Sequence, residues 1–248
     1  MDVNEPRPQV LPSDPPASEP AVVAGHDADF VALLESAARL QRLVPDAVLV
    51  GGSAAALYAH HRFSTDHDHV VADLARRYEV ILEALQASEG WVASFRSSPP
   101  MTILGMEAGF EAGIRQLRRK LPLETSRVRL PSGSDLVVPT EPEMLRIKSY
   151  LIVNRNRMRD YLDVAALADH LGLAEARGVI GDIDAFYGEL SGTSGAVSTV
   201  LAERLYRCEP VDRKALATLS RFKGLDAKWA DWDNVRAVCR ELVKGVLK

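Results

Sequence analysis

Two short motifs place residues suited to phosphate chemistry near each other in the chain. Gly51-Gly52-Ser53 is followed thirteen residues later by Asp66-His67-Asp68. The first motif lies between the apolar run 47–50 and an alanine-rich stretch, which predicts a turn from a strand into a helix. Because a helix amino terminus leaves backbone N–H groups unpaired, this turn is a candidate phosphate site, with the Ser53 hydroxyl as a further donor. A plain turn capped by Ser53 is the alternative.

The second motif predicts a strand over 66–71 with two acidic side chains on one face. Side chains at i and i+2 of a strand point to the same side, so Asp66 and Asp68 project together. Two close carboxylates ionise at a cost unless a cation lies between them, and Mg²⁺ (or Mn²⁺) is the type of cation that they bind. A solvated strand edge is the alternative, although aspartate is depleted in strands.

Four histidines lie within ten residues, at positions 60, 61, 67 and 69, which raises the alternative of a zinc site. His67 and His69 alternate with the aspartates, so they face the other side of the predicted strand. Ligation by all four histidines would need a bend that the strand does not allow. His60 and His61 are interpreted as polar loop residues or as neighbours of a bound nucleotide.

Gly52-Ser53 and the run 62–68, Arg-Phe-Ser-Thr-Asp-His-Asp, resemble the first signature of the nucleotidyltransferase superfamily. The branch that they resemble most is that of the AbiEii-like and MenT-like toxins of type IV toxin–antitoxin systems. Downstream, Lys148-Ser149-Tyr150-Leu151, Arg155 and the run 159–163, Arg-Asp-Tyr-Leu-Asp, are similar to the Lys-plus-Arg-Asp helices of that branch. The resemblance covers about residues 28 to 172.

The resemblance implies a role for each matching residue. The implied catalytic residues are Asp66, Asp68, Lys148 and Asp160, of which Asp66 and Asp68 bind Mg²⁺ (or Mn²⁺). The implied nucleotide-binding residues are Gly52, Ser53, Arg62 and Ser64. Asp163 is an alternative to Asp160 as the partner of Lys148 or as the base. By periodicity alone, Lys148 is equally well a surface lysine, and Arg159-Asp160 a charge pair at a helix start.

The implied function is transfer of a nucleoside monophosphate from an NTP to an RNA acceptor, such as the 3′ end of a tRNA, by a toxin with a cognate antitoxin. A small-molecule nucleotidyltransferase of the antibiotic-modifying type is one alternative, which an acidic acceptor pocket would favour; a basic groove favours RNA. A non-catalytic NTP-binding module is the other. Many polymerising members use a third carboxylate, but the aligned segment 113–117 offers Gln116, with Glu107 and Glu111 just upstream.

Composition predicts a globular protein, with 248 residues of which 47% are hydrophobic. The absence of a long apolar run or a signal-peptide pattern leads us to expect a cytoplasmic protein with no membrane partner. Cys208 and Cys239 have neither metal-ligand nor disulfide-framework spacing. The net charge of −4 argues against broad nonspecific binding of nucleic acid, while local basic stretches are compatible with an RNA or nucleotide partner.

The expected fold is α+β, a polymerase-beta-like nucleotidyltransferase fold with a small mixed sheet and a helical C-terminal region. The predicted organisation is a disordered proline-rich leader at 1–25, a nucleotidyltransferase core at 26–140 and a helical region at 141–248. The predicted strands are 47–50, 66–71, 91–95, 102–104, 113–117, 128–130 and 135–138. The predicted helices begin near residues 27, 54, 73, 141, 160, 183, 194, 212 and 231.

Overall fold

A computed structural model describes residues 27–191 and 195–246, so the proline-rich segment predicted at 1–25 lies outside the described residues. The strands are β1 (Val48–Val50), β2 (Asp66–Val71), β3 (Trp91–Ala93), β4 (Thr102–Glu107), β5 (Phe110–Gln116), β6 (Thr125–Arg129) and β7 (Asp135–Pro139). Five of them form one sheet in the order β1-β2-β5-β4-β3, in which β2 and β5 are parallel and the other neighbours antiparallel. β6 and β7 form a separate antiparallel hairpin. The expected α+β fold with a small mixed sheet is confirmed.

Helices pack against this sheet and make up most of the chain after β7. They are α1 (Ala28–Leu43), α2 (Gly51–Ala59), α3 (Leu74–Gln86), α4 (Glu141–Arg155), α5 (Met158–Leu171), α6 (Leu173–Gly181), α7 (Ile183–Tyr187), α8 (Val197–Arg207), α9 (Ala227–Ala230) and α10 (Trp232–Val246). α1, α2 and α3 pack against the sheet. Two 3₁₀ helices cover Gly188–Leu190 and Arg213–Arg221. Thr140 caps α4 by accepting a hydrogen bond from the Glu143 amide, as the Thr-x-x-Glu pattern predicts.

Several local predictions differ from the structure. Among the strands, β5 and β6 begin three residues before the predicted 113 and 128, and β3 ends two residues before the predicted 95. α2 begins at Gly51 itself, because a φ of +79° at this glycine turns the chain directly from β1 into the helix. The segment predicted as a helix from 212 to 221 is a 3₁₀ helix in which only Leu219 is buried, so little packing supports a longer α-helix. α6 was not predicted; it is held by burial of Ala176 and Ile180 against the helices around it.

The main hydrophobic core includes residues from both sides of position 140. Phe30 and Leu49 belong to the same buried cluster as Leu145, Leu167 and Leu242. Each such side chain contributes about 1.5–3 kcal/mol through burial. A smaller cluster, built around residues of α3, β4 and β5, lies against the sheet. The helical C-terminal part is therefore packed onto the sheet-bearing part through a shared core.

Candidate active site

Asp66 and Asp68 lie on the same face of β2, as the alternation of the motif predicts. The strand alternates between half-buried and buried positions, so both aspartates are half-buried while His67 and His69 are fully buried on the other side. His67 Nε2 lies 3.2 Å from the Ser36 hydroxyl of α1. Because His67 and His69 are buried on the opposite face of β2 from Asp66 and Asp68, a zinc site made of all four histidines is ruled out. The two carboxylates face away from the core.

The amino-terminal turn of α2 approaches these carboxylates closely. A Cβ placed on Gly51 would lie 3.5 Å from Oδ2 of Asp68, and one placed on Gly52 would lie 2.8 Å from both Arg62 Nη2 and Ser64 Oγ. Because glycine at position 52 has no Cβ, the side chains of Arg62 and Ser64 are able to occupy this space. Free N–H groups of a helix start are donors for anions, so the carboxylates lie beside the turn that the sequence predicts as a phosphate site.

Two serines fix the position of Asp66. The Ser53 hydroxyl is buried and donates a 2.6 Å hydrogen bond to the Asp66 carbonyl, which ties α2 to the start of β2. The Ser64 hydroxyl donates to Oδ1 of the same residue at 2.7 Å. Ser53 thus already uses its hydroxyl within the protein, and its predicted contact with a nucleotide stays a prediction, as does that of Ser64.

Asp163 of α5 is the centre of a buried charge cluster. Its carboxylate forms an ion pair with Lys148 Nζ at 2.7 Å, accepts hydrogen bonds from Arg62 Nε and Nη2 at 2.9 and 3.1 Å, and lies 2.7 Å from His61 Nε2. Burial by itself would raise the pKa of Asp163, but the charges of Arg62 and Lys148 outweigh it and hold that pKa well below its usual range. Burial also lowers the pKa of His61, which keeps this imidazole neutral. We call these four residues the Asp163 cluster.

Asp160 has a different partner. Its fully buried carboxylate binds the Arg155 guanidinium through two hydrogen bonds of 2.7 and 2.6 Å. Of the two acids weighed as the partner of Lys148, the structure places Asp163 in contact and not Asp160. The sequence left the partner of Lys148 open between these two acids, and the contact belongs to Asp163. The catalytic role implied for Asp160 stays a prediction.

The C-terminal part of the chain holds the loop that carries His61 and Arg62. The Phe63 amide donates to the Lys223 carbonyl at 2.8 Å, and the Asp226 amide donates to the His61 carbonyl at 2.9 Å. The Arg62 guanidinium also lies 5.9 Å above the Phe222 ring. These long-range contacts fix Arg62 between α2 and Asp163. No local pattern in the sequence predicts them.

Gln116, the residue aligned with a third carboxylate, does not lie on the face of Asp68. It pairs with Val71 in the parallel register of β2 and β5, which puts it on the other face of the sheet. Its side chain accepts a hydrogen bond from the Ala75 amide at 2.9 Å and donates to the Ala72 carbonyl at 2.5 Å. Gln116 therefore secures the start of α3.

The donor set fits a hard divalent cation held by two carboxylates. Among residues 27–191 and 195–246 there is no group of three or more His, Cys, Asp and Glu side chains arranged to hold a metal. Asp66 and Asp68 supply oxygen donors from one face of β2, and Mg²⁺ commonly takes one or two carboxylates and completes its shell with water and phosphate oxygens. The donors are therefore suited to Mg²⁺ or Mn²⁺ in the presence of a nucleotide.

A cleft of about 410 Å³ opens beside Asp68, between the end of β5 and α4. Four of the described residues that line it are arginines, and one is acidic. They are Arg115, Arg118, Arg119, Arg155 and Asp68. Arg119 and Arg155 are paired with the buried carboxylates of Glu143 and Asp160, so the positive charge that faces the cleft comes mainly from Arg115 and Arg118. Tyr150 and Tyr187 also line the cleft, with their rings stacked at 4.2 Å. Burial raises the pKa of Asp68, although Arg115, whose Nε lies 3.4 Å from Oδ1, opposes this shift. The cleft is thus suited to an anionic ligand with an aromatic part.

Sequence reasoning did not identify this cleft or the full Asp163 cluster. Arg115 lies two residues after Gly113 in a predicted strand, so the sequence did indicate that the two residues share a face. The pairing of β5 with β2, which brings Arg115 to Asp68, was not predictable from the sequence. His61 was interpreted as a loop residue or a neighbour of the nucleotide, and its contact with Asp163 joins residues 102 positions apart.

No family model matches the chain. Over 266 aligned positions it is 30% identical to the heme uptake protein MmpL11 of Mycobacterium tuberculosis H37Rv, covering 96% of this chain and 24% of that protein. It is 28% identical over 228 positions to the mycolic acid-containing lipids exporter MmpL11 of Mycolicibacterium smegmatis, covering 92% and 22%. The chain spans about a quarter of the length of these curated relatives. None of the helices in the described residues is long and apolar enough to cross a membrane.

A solved structure aligns with most of the chain. It is MenT4, a nucleotidyltransferase toxin from Mycobacterium tuberculosis H37Rv, and the two superpose with a TM-score of 0.55 at 19% sequence identity. The superposition covers 89% of this chain and 85% of that one. At this level of identity the likeness concerns the fold, and it confirms the fold expected from the motifs.

Proposed function

From the nucleotidyltransferase fold that this chain shares with MenT4, we propose that the protein transfers a nucleoside monophosphate from an NTP to a hydroxyl group of RNA. The observation that carries the proposal is the position of two half-buried carboxylates, Asp66 and Asp68, at the amino-terminal turn of α2. Donors for a phosphate and ligands for a divalent cation are thereby close enough to act on the same triphosphate.

In the proposed reaction the acceptor oxygen forms a bond to the α-phosphorus. The bond from that phosphorus to the oxygen bridging to the β-phosphate breaks, and pyrophosphate leaves with the electron pair. The hydroxyl proton passes to solvent in the cleft, because the carboxylates of Asp160 and Asp163 are already bound by cationic side chains. A bound Mg²⁺ or Mn²⁺ supplies neutralisation of the phosphate charge.

The side chains of the protein prepare this site before substrate binds. The Asp163 cluster contains one carboxylate and two cations, Arg62 and Lys148, so it carries net positive charge. The Lys148 charge reaches Asp68, where it helps to keep the carboxylate ionised. Ser64 orients the Asp66 carboxylate. We infer that the cluster attracts the triphosphate and that Gly52 and the α2 amides hold it.

The charge of the cleft favours RNA over a cationic small molecule as the acceptor. Four arginines line it among the described residues, and three of them, Arg115, Arg119 and Arg155, are paired with Asp68, Glu143 and Asp160, which leaves an excess of one positive charge. An aminoglycoside-type acceptor is a cation and would be repelled by this lining, whereas an RNA 3′ end brings both phosphates and bases that stack on aromatic rings. A tRNA acceptor is the RNA that we propose, together with a toxin role like that named for MenT4 and a cognate antitoxin.

The test is incubation of the purified protein with total RNA, Mg²⁺ and each α-labelled NTP in turn. Asp66→Asn is the variant expected to be inactive, and Asp135→Asn, an exposed aspartate at the start of β7, is its matched control. Label in a tRNA-sized band from the wild type and the control alone supports the proposal. Labelling of a small-molecule acceptor in place of RNA supports the antibiotic-type alternative.

NTP binding without transfer to any acceptor would leave only the non-catalytic alternative. The toxin role has a separate test, which is induced expression in a bacterial host. Growth arrest by the wild type and by Asp135→Asn, with normal growth under Asp66→Asn, supports it. Equal growth of all three cultures contradicts it without affecting the result of the labelling assay.

A further inference from the structure

The position opposite Asp68 on β5 has room for a side chain only if Asp68 moves. Asp68 pairs with Gly113 in the parallel register of the two strands. A Cβ placed on Gly113 would lie 2.6 Å from Oδ1 of Asp68 and 3.1 Å from Cδ2 of Leu104, so the space is filled by neighbouring side chains. A side chain at the backbone position nearest to Asp68 would displace the Asp68 carboxylate, and in this chain glycine at that position supplies no third carboxylate.

The next position on the same face of β5 is occupied by a cation. Arg115 follows Gly113 by two residues and pairs with Val70 in the register. Its Nε lies 3.4 Å from Oδ1 of Asp68, and half of its side chain is exposed to the cleft. A guanidinium in this position can touch Asp68 and an anionic ligand at once, because its five N–H donors point in a planar fork.

Glu111 is the remaining candidate for a third carboxylate on this face. It pairs with Asp66 in the register, but its side chain is 62% exposed and lies 3.4 Å from the Arg96 guanidinium. Glu107 is buried, and its carboxylate lies 3.6 Å from Arg39. Neither is part of a three-ligand group in the described chain. Any experiment on this site must therefore distinguish Arg115 from Glu111.

We propose that Arg115 takes the place that a second metal ion has in two-metal nucleotidyl transfer. Its guanidinium neutralises Asp68 in the free protein and moves to the phosphate groups when an NTP binds, so that Asp66 and Asp68 together hold a single divalent cation. The inference rests on the proposed function for its role in catalysis. Competition between Arg115 and a cation for Asp68 is a property of the free protein and is testable without turnover.

The first measurement is titration of Mn²⁺ alone into the full-length protein, with free Mn²⁺ followed by electron paramagnetic resonance. We expect the wild type to bind one ion. Arg115→Ala is expected to bind one ion about two- to five-fold more tightly, the range that suits an exposed ion pair, because the competing guanidinium is gone. Arg115→Lys should lie between them, and Glu111→Gln should bind as the wild type does.

The second measurement is nucleotide transfer by the same variants. Arg115→Ala is expected to lower kcat by about 100-fold, the effect of removing one preorganised donor to a transition state. Arg115→Lys is expected to recover part of that loss, since it keeps the charge and loses the fork. A thermal midpoint equal to that of the wild type shows that the variants are folded.

Two outcomes would overturn the inference. One is binding of two Mn²⁺ ions by the wild type with loss of one in Glu111→Gln, which would make Glu111 a ligand of a second metal. The other is an unchanged Mn²⁺ affinity in Arg115→Ala. If the wild type transfers no nucleotide to any acceptor, the proposed function fails, whereas the Mn²⁺ titration still decides whether Arg115 competes for Asp68.

Discussion

Asp163 and Asp68 both lie beside arginine, yet their surroundings differ in the one property that decides their use. Asp163 is fully buried and its oxygens are saturated by Arg62, Lys148 and His61. Asp68 keeps 32% of its side chain exposed and has a single contact with Arg115, at the longer distance of 3.4 Å. A saturated buried carboxylate fixes the positions of its partners, while an open one is able to exchange a partner for a ligand.

The difference also appears in the pKa of each carboxyl. The cations around Asp163 overcome its burial, and its pKa is lowered. Around Asp68 burial prevails, and its pKa is raised. Arg115 and Lys148 therefore compensate the charge on Asp68 only in part, and a divalent cation would complete the compensation. The comparison predicts that Asp163 serves mainly stability and positioning, and that Asp68 serves ligand binding.

The largest expected effect is on stability, from Asp163→Asn. This change leaves Arg62 and Lys148 buried without a counter-charge, which costs about 3–5 kcal/mol of unfolding free energy. Asp160→Asn is the matched control, because Asp160 is equally buried but its partner Arg155 is 49% exposed and is able to turn into water. Urea denaturation of both variants measures the difference, and a loss in Asp160→Asn as large as in Asp163→Asn would break the comparison.

Asp68→Asn should have the opposite effects, with a large loss of nucleotide transfer and little loss of stability. We expect nucleotide transfer to fall by about 100-fold or more, because half of the cation's carboxylate set is removed. The thermal midpoint should stay the same or rise, since the change removes a charge that burial disfavours. A transfer assay and a melting curve on the same preparation test this. A destabilised Asp68→Asn protein would show that Asp68 is structural as Asp163 is.

The parts of this site that could be predicted from sequence are those set by local geometry. The alternation of a strand places Asp66 and Asp68 on one face, and the glycines before an alanine-rich stretch indicate the start of α2. The capping pattern at Thr140 gives the start of α4 to the residue. Each of these depends on residues a few positions apart, for which the backbone offers few arrangements.

The parts that could not be predicted depend on pairing between distant segments. The choice of Asp163 over Asp160 depends on how α5 packs against α4, which brings Asp163 to Lys148 and Asp160 to Arg155 although both acids lie near one another on the same helix. Gln116 was aligned with a third carboxylate but does not lie beside Asp68. The β2–β5 register, which the sequence does not specify, puts Gly113 opposite Asp68 instead. The lining of the cleft combines α4 with the segment after β5 for the same reason.

Gly52→Ala sharpens the comparison by disturbing the Asp163 cluster from outside. The added Cβ would lie 2.8 Å from Arg62 Nη2, and this guanidinium is unable to move freely because Asp163 holds it through two hydrogen bonds. We expect a loss of about 1–2 kcal/mol in unfolding free energy. Gly178→Ala in α6 is the matched control: its Cβ would meet nothing within 4 Å, so helix propensity should stabilise the protein by up to about 1 kcal/mol. Equal effects would mean that Arg62 is not held in place.

The smallest expected effect is a pH dependence that originates in His61. Burial lowers the pKa of this histidine in the folded protein below its value of about 6.5 in the unfolded chain. On acidification the unfolded state therefore takes up the proton first, so the contribution of neutral His61 is fully present above about pH 6.5 and is lost as the pH falls below it. The slope for one proton is at most about 1.4 kcal/mol per pH unit. Urea denaturation from pH 7.5 to 5.5 should show a shallower decline for His61→Gln than for the wild type. Identical slopes would mean that burial does not lower the pKa of His61 beside Asp163.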